Sequence, residues 1–207
     1  EWVRQEHGNP LCLQIDGRWA FYFVWKSVGI SHTIPDFRRV LQQGTNGVMR
    51  EIAMQLATDR SPDDARTSAL QAMRMSLEGV NAYASHLSTE ARRLAQTEGD
   101  PRRQSELRRL AETCARVPAE PAQSLDEAVN AIWILCVAVH MESTNTGMSI
   151  GRLDQLLQPY FAADMRRLES EEQREAYVRH AIELVGDFYM RGTDHLPLVP
   201  DLGNYLF

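Results

Sequence analysis

The sequence predicts a mainly helical chain with a few short strands. Every residue from Ala131 to Val139 is apolar, and a helix with this composition has no face left for water. Apolar residues recur at helical spacing over most of residues 37–192, whereas sequence patterns typical of strands are confined to residues 10–30. No internal repeat or linker interrupts the 207 residues. We therefore predict a single helical unit over residues 1–207.

Composition narrows the class of protein. The chain is 43% hydrophobic and 24% charged, as in ordinary globular proteins, and its net charge of −6 argues against a nucleic-acid partner. The apolar run is shorter than the roughly 18 residues needed to span a bilayer. Cys12, Cys114 and Cys136 lack metal-type spacing, so we expect neither a disulfide framework nor a zinc site. With no signal-peptide pattern at the start, a reducing cytoplasm is the expected location.

Both ends of the chain suggest an excised piece. The sequence begins with Glu1 and Trp2 rather than methionine, and it stops on Tyr205, Leu206 and Phe207. An apolar ending of this kind is rarely left in water.

The sequence from residue 11 to residue 56 predicts a hairpin followed by a helix. Residues 11–15 and 19–25 are strand-like and are separated by Asp16-Gly17. Pro35-Asp36 then breaks the chain before a helix. The apolar face of this helix comprises Phe37, Val40, Leu41, Val48, Ile52 and Leu56.

Three further helices are expected around the central stretch. Ser61-Pro62 predicts the start of a helix of nearly forty residues. A shorter helix follows Gly99-Asp100-Pro101, and its arginines are interpreted as a solvated face. Ser170 and Gln173 are expected to cap the last helix. The apolar or small face of the long helix is Ala65, Ala69, Ala72, Met73, Leu77, Val80, Tyr83, Ala84, Leu87, Ala91 and Leu94. The arginines of the shorter helix are Arg102, Arg103, Arg108 and Arg109. The apolar face of the last helix is Ala176, Tyr177, Ile182, Leu184, Val185, Phe188 and Tyr189.

The stretch from Ser124 to Phe161 carries most of the functional information. Ser124 and Glu127 form a capping box, which predicts a helix from Ser124 to about Met141 that is almost fully buried. Residues 142–146 are then five polar side chains in succession. Because buried polar groups must be paired or used, this helix end is a candidate site.

Two alternative sites in this stretch are disfavoured. Residues 147–151 match G-x-S-x-G, but the serine hydrolase elbow requires a strand before the serine, and a helix precedes it here. His140 and Glu142 lie two residues apart on a helix and point in different directions, and no H-E-x-x-H pattern occurs.

Two blocks of the sequence show a family resemblance. The first contains ARVPAEP at 115–121, Glu127-Ala128, Trp133, MES at 141–143, GRLDQ at 151–155 and Pro159-Tyr160. This block resembles the glycyl radical enzymes of the pyruvate formate-lyase and glycerol dehydratase superfamily, whose text reads close to ARVPANPP, F-x-EAL-x-x-x-W and QIESNGHSISLGRFDQY-x-x-PY. A second block has His32, Pro35, Asp36, Val40, Leu41, Gly44 and Gly47 and is similar to the family text GH-x-x-PD-x-x-x-VL-x-x-G-x-x-G.

The resemblance implies a fold and a chemistry. It implies that the chain is part of an α/β barrel built of two half-barrels of strands wrapped in helices. The implied cofactor is a glycyl radical on a residue outside this chain, formed by a radical S-adenosylmethionine iron–sulfur activating enzyme, with no bound metal. A cysteine that also lies outside the chain would take hydrogen from a small-molecule substrate. Such chemistry needs a dry, enclosed site. A homodimer is one assembly to test, and neither nucleic acid nor a membrane is expected as a partner.

The resemblance also implies substrate-binding residues. His32 on its own would be interpreted as a helix-entry residue bonded to backbone, but the family histidine at this position reaches the substrate. The His-Ser pair of the family text falls on Thr146 and Gly147, so the pair is missing and more room is expected there. Arg152 and Asp154 are interpreted as a structural charge pair that orients the second helix.

We therefore expect an N-terminal fragment of a glycyl radical enzyme that catalyses lyase or dehydratase chemistry, with the radical residues outside it. Cys114 and Cys136 are expected to serve core packing. The alternative is a non-catalytic helical interaction module that retains the scaffold.

Overall fold

The structure is a computed structural model that describes residues 34–58, 64–142 and 149–194. These residues form six helices and no strand: α1 (Phe37–Thr58), α2 (Asp64–Thr97), α3 (Pro101–Arg116), α4 (Leu125–Glu142), α5 (Leu153–Met165) and α6 (Glu171–Asp194). The predicted helical class is thus confirmed. The hairpin predicted at residues 11–25 and the helix start predicted at Ser61-Pro62 lie outside the described residues.

The main hydrophobic core is formed by α1, α4, α5 and α6. Burial of each large apolar side chain contributes about 1.5–3 kcal/mol. A smaller cluster packs α2 and α3 against α4 through Ala84, Cys114 and Ile134. The buried members of the main core are Phe37, Leu41, Val117, Leu125, Ala128, Val129, Ala131, Ile132, Cys136, Leu153, Leu157, Ala181 and Phe188.

The apolar helix α4 occupies the middle of this core. Ala131, Ile132, Ile134 and Cys136 are buried, and the other residues from 131 to 139 are partly buried. No residue in the run is exposed, so the prediction of a core helix is confirmed. The burial is less complete than predicted, because Trp133, Leu135 and residues 137–139 are only partly buried.

Helices α4 and α6 run in the same direction. Near the beginning of α4 and the middle of α6, the His180 Nε2 atom lies 3.0 and 3.1 Å from the two carboxylate oxygens of Asp126. Further along, Trp133 packs edge-on against Phe188 with ring centroids 5.9 Å apart. Seven residues of α4 and eight of α6 separate these contacts, which correspond to about 10 and 12 Å of helix. The carboxyl ends of both helices therefore lie at the same end of the core.

Helix α5 and the part of α1 before Gly44, where non-helical dihedral angles break the helix, run in the opposite direction. The backbone N–H of Leu125, the first residue of α4, donates to Asp164 in the last turn of α5. A cleft of about 60 Å³ between α1 and α5 is lined by Arg38 and Gln42 from one helix and by Gln155 and Pro159 from the other. The amino ends of α1 and α5 are therefore neighbours.

Local sequence signals fix several helix ends. Ser170 and Gln173 form the predicted capping box, since the Gln173 N–H donates to Ser170 Oγ and the Ser170 N–H donates to Gln173 Oε1, both at 3.2 Å. At α4, the Glu127 N–H donates to Ser124 Oγ at 3.2 Å. The Glu127 carboxylate instead accepts from the Gln123 N–H and from Arg116. The predicted capping box is therefore only half formed, because the arginine draws the carboxylate away from Ser124.

The apolar faces predicted for α2 and α6 are only partly buried, which corrects the sequence-based expectation. Met73 and Leu94 of α2 are 56% and 39% exposed, and Ile182 and Tyr189 of α6 are 67% and 57% exposed. Periodicity identifies such faces, but it does not supply a neighbour to cover them.

Candidate functional site

The predicted substrate-binding residues His32, Thr146 and Gly147 lie outside the described residues. The structure does describe where their segments join the helical core. Ile34 follows His32 by two residues, and α4 ends at Glu142, just before the segment that carries Thr146 and Gly147.

The two segments join the core side by side. Gly151, which has φ of +74°, lies against Ile34, because a Cβ built on Gly151 would be 3.3 Å from the Ile34 Cγ2 atom. In the sequence, Ile34 follows His32 by two residues and Gly151 follows Thr146 by five.

The carboxyl ends of α4 and α6 lie at this end of the core as well. The first residues of α5, Leu153 and Asp154, line a cavity of about 290 Å³ together with Tyr189 from the later part of α6. We call the end marked by Ile34, His140, Gly151 and Tyr189 the loop-bearing end. The segments at 1–33, 143–148 and 195–207 all join the described helices there.

His140 is a half-buried polar side chain in the last turn of α4. Its Nδ1 atom lies 2.7 Å from the backbone oxygen of Cys136, one turn earlier in the same helix. The sequence singled out His140 only as a poor metal ligand. The capping box at Ser124 predicts only where α4 begins, whereas the apolar run that ends at Val139 indicates that His140 lies near the end of the helix.

Arg152 and Asp154 form the ion pair that the sequence predicts. The distances are 2.9 Å from Nε to Oδ1 and 2.6 Å from Nη2 to Oδ2. The hydrogen bond from Arg152 lowers the pKa of the Asp154 carboxyl. Both side chains are about two-thirds exposed, and such pairs contribute little to stability. The pair is therefore present, but it does not anchor α5 against the core.

Cys114 and Cys136 are buried free cysteines, which confirms the predicted packing role. Burial raises the pKa of the Cys114 thiol to about 11 and that of Cys136 to about 12. A thiol needs its thiolate form to act as a nucleophile. Neither cysteine is poised for such chemistry at neutral pH.

The opposite end of the core contains a carboxylate network that the sequence did not reveal. Asp164 Oδ2 accepts from the Leu125 N–H at 2.8 Å and from the Tyr177 hydroxyl at 2.7 Å, and Arg167 donates to Oδ1 at 3.1 Å. Desolvation, with help from the bond to Asp164, raises the pKa of Tyr177. This network ties the start of α4 to α5 and α6, so it positions the helix whose other end reaches the loop-bearing end. The only sequence signal was an acidic residue in an otherwise apolar turn.

Two classes of feature are absent from the described residues. Within residues 34–58, 64–142 and 149–194, no three His, Cys, Asp or Glu side chains cluster in a way that could hold a metal ion. Among the six helices, none has both the length and the apolar character needed to cross a lipid bilayer.

Comparison with known proteins extends the resemblance over nearly the whole chain. Residues 19–207 match the family model described as pyruvate formate lyase-like. An indoleacetate decarboxylase from Tractidigestivibacter scatoligenes is 35% identical over 162 residues, which are 76% of this chain and 16% of that protein.

Solved structures agree with the sequence match. The glycerol-bound form of the B12-independent glycerol dehydratase from Clostridium butyricum superposes with a TM-score of 0.61 at 30% identity, covering 64% of this chain and 17% of that one. A glycyl radical enzyme from Archaeoglobus fulgidus gives a TM-score of 0.66 at 28% identity and covers 88% of this chain and 25% of that one. The chain therefore spans 16% to 25% of the length of the proteins compared with it.

Proposed function

Because this chain belongs to the pyruvate formate lyase-like family of glycyl radical enzymes, we propose that it forms the N-terminal part of a longer enzyme of that family. The enzyme cleaves a C–C, C–O or other C–X bond of a small organic substrate by anaerobic radical chemistry. The described helices would form part of the shell around an α/β barrel. The chain spans only 16% to 25% of the length of each relative. This supports the view that the reaction needs further polypeptide.

The proposed role of this chain is to supply part of the substrate wall. His32 and Thr146 face the same cavity, and Gly147 gives that cavity room. The observation that supports this role is the contact between Ile34, two residues after His32, and Gly151, four residues after Gly147. The packed core behind them would exclude water, which radical intermediates require.

The radical itself is proposed to lie elsewhere in the protein. When formed, a glycyl radical supplies an unpaired electron that reaches a cysteine and allows hydrogen to be taken from the substrate. We expect polypeptide downstream of this chain to contain a G-C-x-E loop and an R-V-x-G loop. The partner that forms the radical would be a radical S-adenosylmethionine activating enzyme, and the compartment would be the cytoplasm.

The substrate is proposed to differ from a small diol. Threonine and glycine at 146 and 147 offer fewer hydrogen bonds than a His-Ser pair and leave more space. A site built to bond a substrate hydroxyl discriminates by about four to five orders of magnitude when its polar groups are left unpaired. The loss of such groups favours a bulkier or differently charged substrate. The similarity to an indoleacetate decarboxylase is compatible with a bulky substrate.

The test is anaerobic activation of the full-length protein followed by turnover assays. We expect a glycyl-type electron-spin resonance signal, and slower turnover of glycerol and propane-1,2-diol than of indoleacetate or other larger compounds. A missing signal under conditions that activate a related enzyme would favour the non-catalytic interaction module. Turnover of glycerol as fast as any other compound would contradict the substrate proposal alone.

A further inference from the structure

The cleft between α1 and α5 combines polar side chains with an apolar floor. Arg38 and Gln42 lie one turn apart on α1, and Gln155 lines the cleft from α5. Leu41 is buried in the main core, and Leu156 packs against that core. Both leucines line the cleft and form its floor. A small group bound here would therefore contact carbon on one side and polar groups on the other.

The polar side chains of the cleft can supply hydrogen-bond donors and a positive charge. The Arg38 guanidinium has five N–H donors and no acceptor, and the side-chain amides of Gln42 and Gln155 each have an NH₂ group. Half-buried Tyr160 also lines the cleft. Burial raises the pKa of the Tyr160 hydroxyl, so at neutral pH it remains protonated and able to donate. The group that complements this set is an anionic hydrogen-bond acceptor.

The charge of the cleft favours an anion with a single negative charge. The chain has 28 acidic residues against 22 arginines and lysines, yet none of the described residues that line the cleft is acidic. Arg38 is the one charged side chain among them. A phosphoryl group carries about 1.5 to 2 negative charges at neutral pH, which is more than one guanidinium balances. A carboxylate carries one charge and matches the planar fork of arginine.

The size of the cleft limits what is attached to the carboxylate. Its volume is about 60 Å³, whereas one water molecule takes up about 30 Å³ in the liquid. The cleft therefore has the room of about two water molecules, which suits a carboxylate with one attached carbon. Formate would leave the apolar floor uncovered, and a substrate-sized acid would be too large.

We propose that this cleft is a binding site for a short carboxylate group. The carboxylate is bound by Arg38 and Tyr160, and the attached carbon lies on Leu41 and Leu156. Two sources offer this chemistry: a free anion of the size of acetate, or an Asp or Glu side chain from another part of the longer protein. The inference does not depend on the proposed radical reaction, because binding requires only the side chains of the cleft.

The first test addresses the free anion. Saturation-transfer NMR titration measures the affinity of the unactivated full-length protein for acetate. We expect Arg38→Gln to weaken acetate binding by about tenfold or more, because the charge and the guanidinium fork are lost. Tyr160→Phe should weaken it by about threefold, as expected for one neutral hydrogen bond. Formate and phosphate should bind more weakly than acetate.

The control for this titration is the neighbouring arginine. Arg39 follows Arg38 on α1, does not line the cleft and is bonded to Glu51 on the same helix. Arg39→Gln removes the same charge from the chain as Arg38→Gln does. Its acetate affinity should therefore equal that of the parent protein.

The second test addresses an acidic side chain as the occupant. A carbodiimide couples an amine to a carboxylate that is in direct contact with it, and the product is located by peptide mass spectrometry. If an Asp or Glu side chain fills the cleft, the amine introduced by Arg38→Lys should be cross-linked to one acidic residue, and the full-length protein should not bind acetate. Arg39→Lys is the positive control, because its amine should be cross-linked to Glu51.

The two tests identify the source of the carboxylate or exclude the site. Acetate binding that depends on Arg38 supports a free anion, and a cross-link specific to Arg38→Lys supports an acidic side chain. An acetate affinity that is unchanged in Arg38→Gln would overturn the proposal. The absence of both acetate binding and the cross-link, while the Arg39→Lys control reacts, would also overturn it. Phosphate binding as tight as acetate binding would contradict the argument from charge.

Discussion

Gly44 lies directly against the backbone of Ala119. It has φ of +68°, and a Cβ at this position would overlap the carbonyl oxygen of Ala119. The contact continues next to it, where the Thr45 N–H donates to the Pro118 oxygen at 2.8 Å and the Asn46 N–H donates to the Ala119 oxygen at 3.1 Å. The two sequence blocks that resemble the family text separately are thus joined in space.

Replacing Gly44 should therefore be costly. Gly44→Ala places a side chain in the left-handed region and against the 117–120 backbone, so we expect a loss of about 2–4 kcal/mol in the free energy of unfolding. The matched control is Gly79→Ala, because Gly79 lies in α2 with no heavy atom near its missing Cβ. The control should gain about 0.5–1 kcal/mol. Thermal unfolding of the two variants measures both effects, and equal midpoints would contradict the close packing at Gly44.

Asp164 should contribute more to the free energy of unfolding than the exposed ion pair between Asp154 and Arg152. Asp164→Ala leaves the Leu125 N–H and the Tyr177 hydroxyl without their acceptor. We expect a loss of about 2–4 kcal/mol, since leaving buried donors unpaired carries their full desolvation cost. Asp154→Ala removes a carboxylate that is 64% exposed, and no measurable change is expected. A larger effect at Asp154 than at Asp164 would show that the exposed pair does anchor α5.

The two buried thiols should be unreactive in the folded protein. With pKa values of about 11 and about 12, Cys114 and Cys136 have at most about one thiolate in a thousand molecules at pH 8. Iodoacetamide should therefore label them only after denaturation, as checked by peptide mass spectrometry. Rapid labelling of Cys136 in the folded protein would contradict its burial.

The same pKa values give the direction of a pH effect. Both folded pKa values are raised above the ordinary value of 9.0, so this contribution to stability is fully present below about pH 9. It should be lost as the pH rises from about 9 to about 12. Urea unfolding across that range checks the prediction against a Cys114→Ala, Cys136→Ala double variant, which should show a shallower decline.

The exposed face of α6 should promote association of the isolated chain. Ile182 is 67% exposed and lies on the same helix as Tyr189, which is 57% exposed. We expect the 207-residue chain to elute in light-scattering chromatography at a mass above its 23.6 kDa. Ile182→Lys should reduce that mass, whereas Glu183→Lys, a control at an exposed polar position of α6, should not. A monomeric parent chain would refute this expectation.

Local signals in the sequence were sufficient to predict most helices. Ser170 and Gln173 form their capping box because both partners lie within one turn. The Glu127 carboxylate departs from its predicted partner because Arg116, eleven residues away, competes for it. Long-range partners of this kind are not encoded in spacing, and the same is true of the acceptor role of Asp164.

The candidate site could be predicted only in part. The apolar run from Ala131 to Val139 indicated a core helix with polar residues at its end, and the structure confirms that helix. The resemblance implies that both segments reach the substrate, but residue spacing alone does not predict that Ile34 would meet Gly151, because they are more than a hundred residues apart. That His32 and Thr146 share a cavity stays a prediction, since both lie outside the described residues.

The opposed directions of the helices have an electrostatic consequence. α1 and α5 begin at the loop-bearing end, whereas α4 and α6 finish there, and a helix carries about half a positive charge at its start and half a negative charge at its finish. The partial charges of the two helix starts and the two helix ends nearly cancel, so these four helices impose little net electric field on a molecule bound at this end. In the proposed enzyme, these helices would therefore leave the choice between a cationic, neutral or anionic substrate to individual side chains and to the rest of the protein.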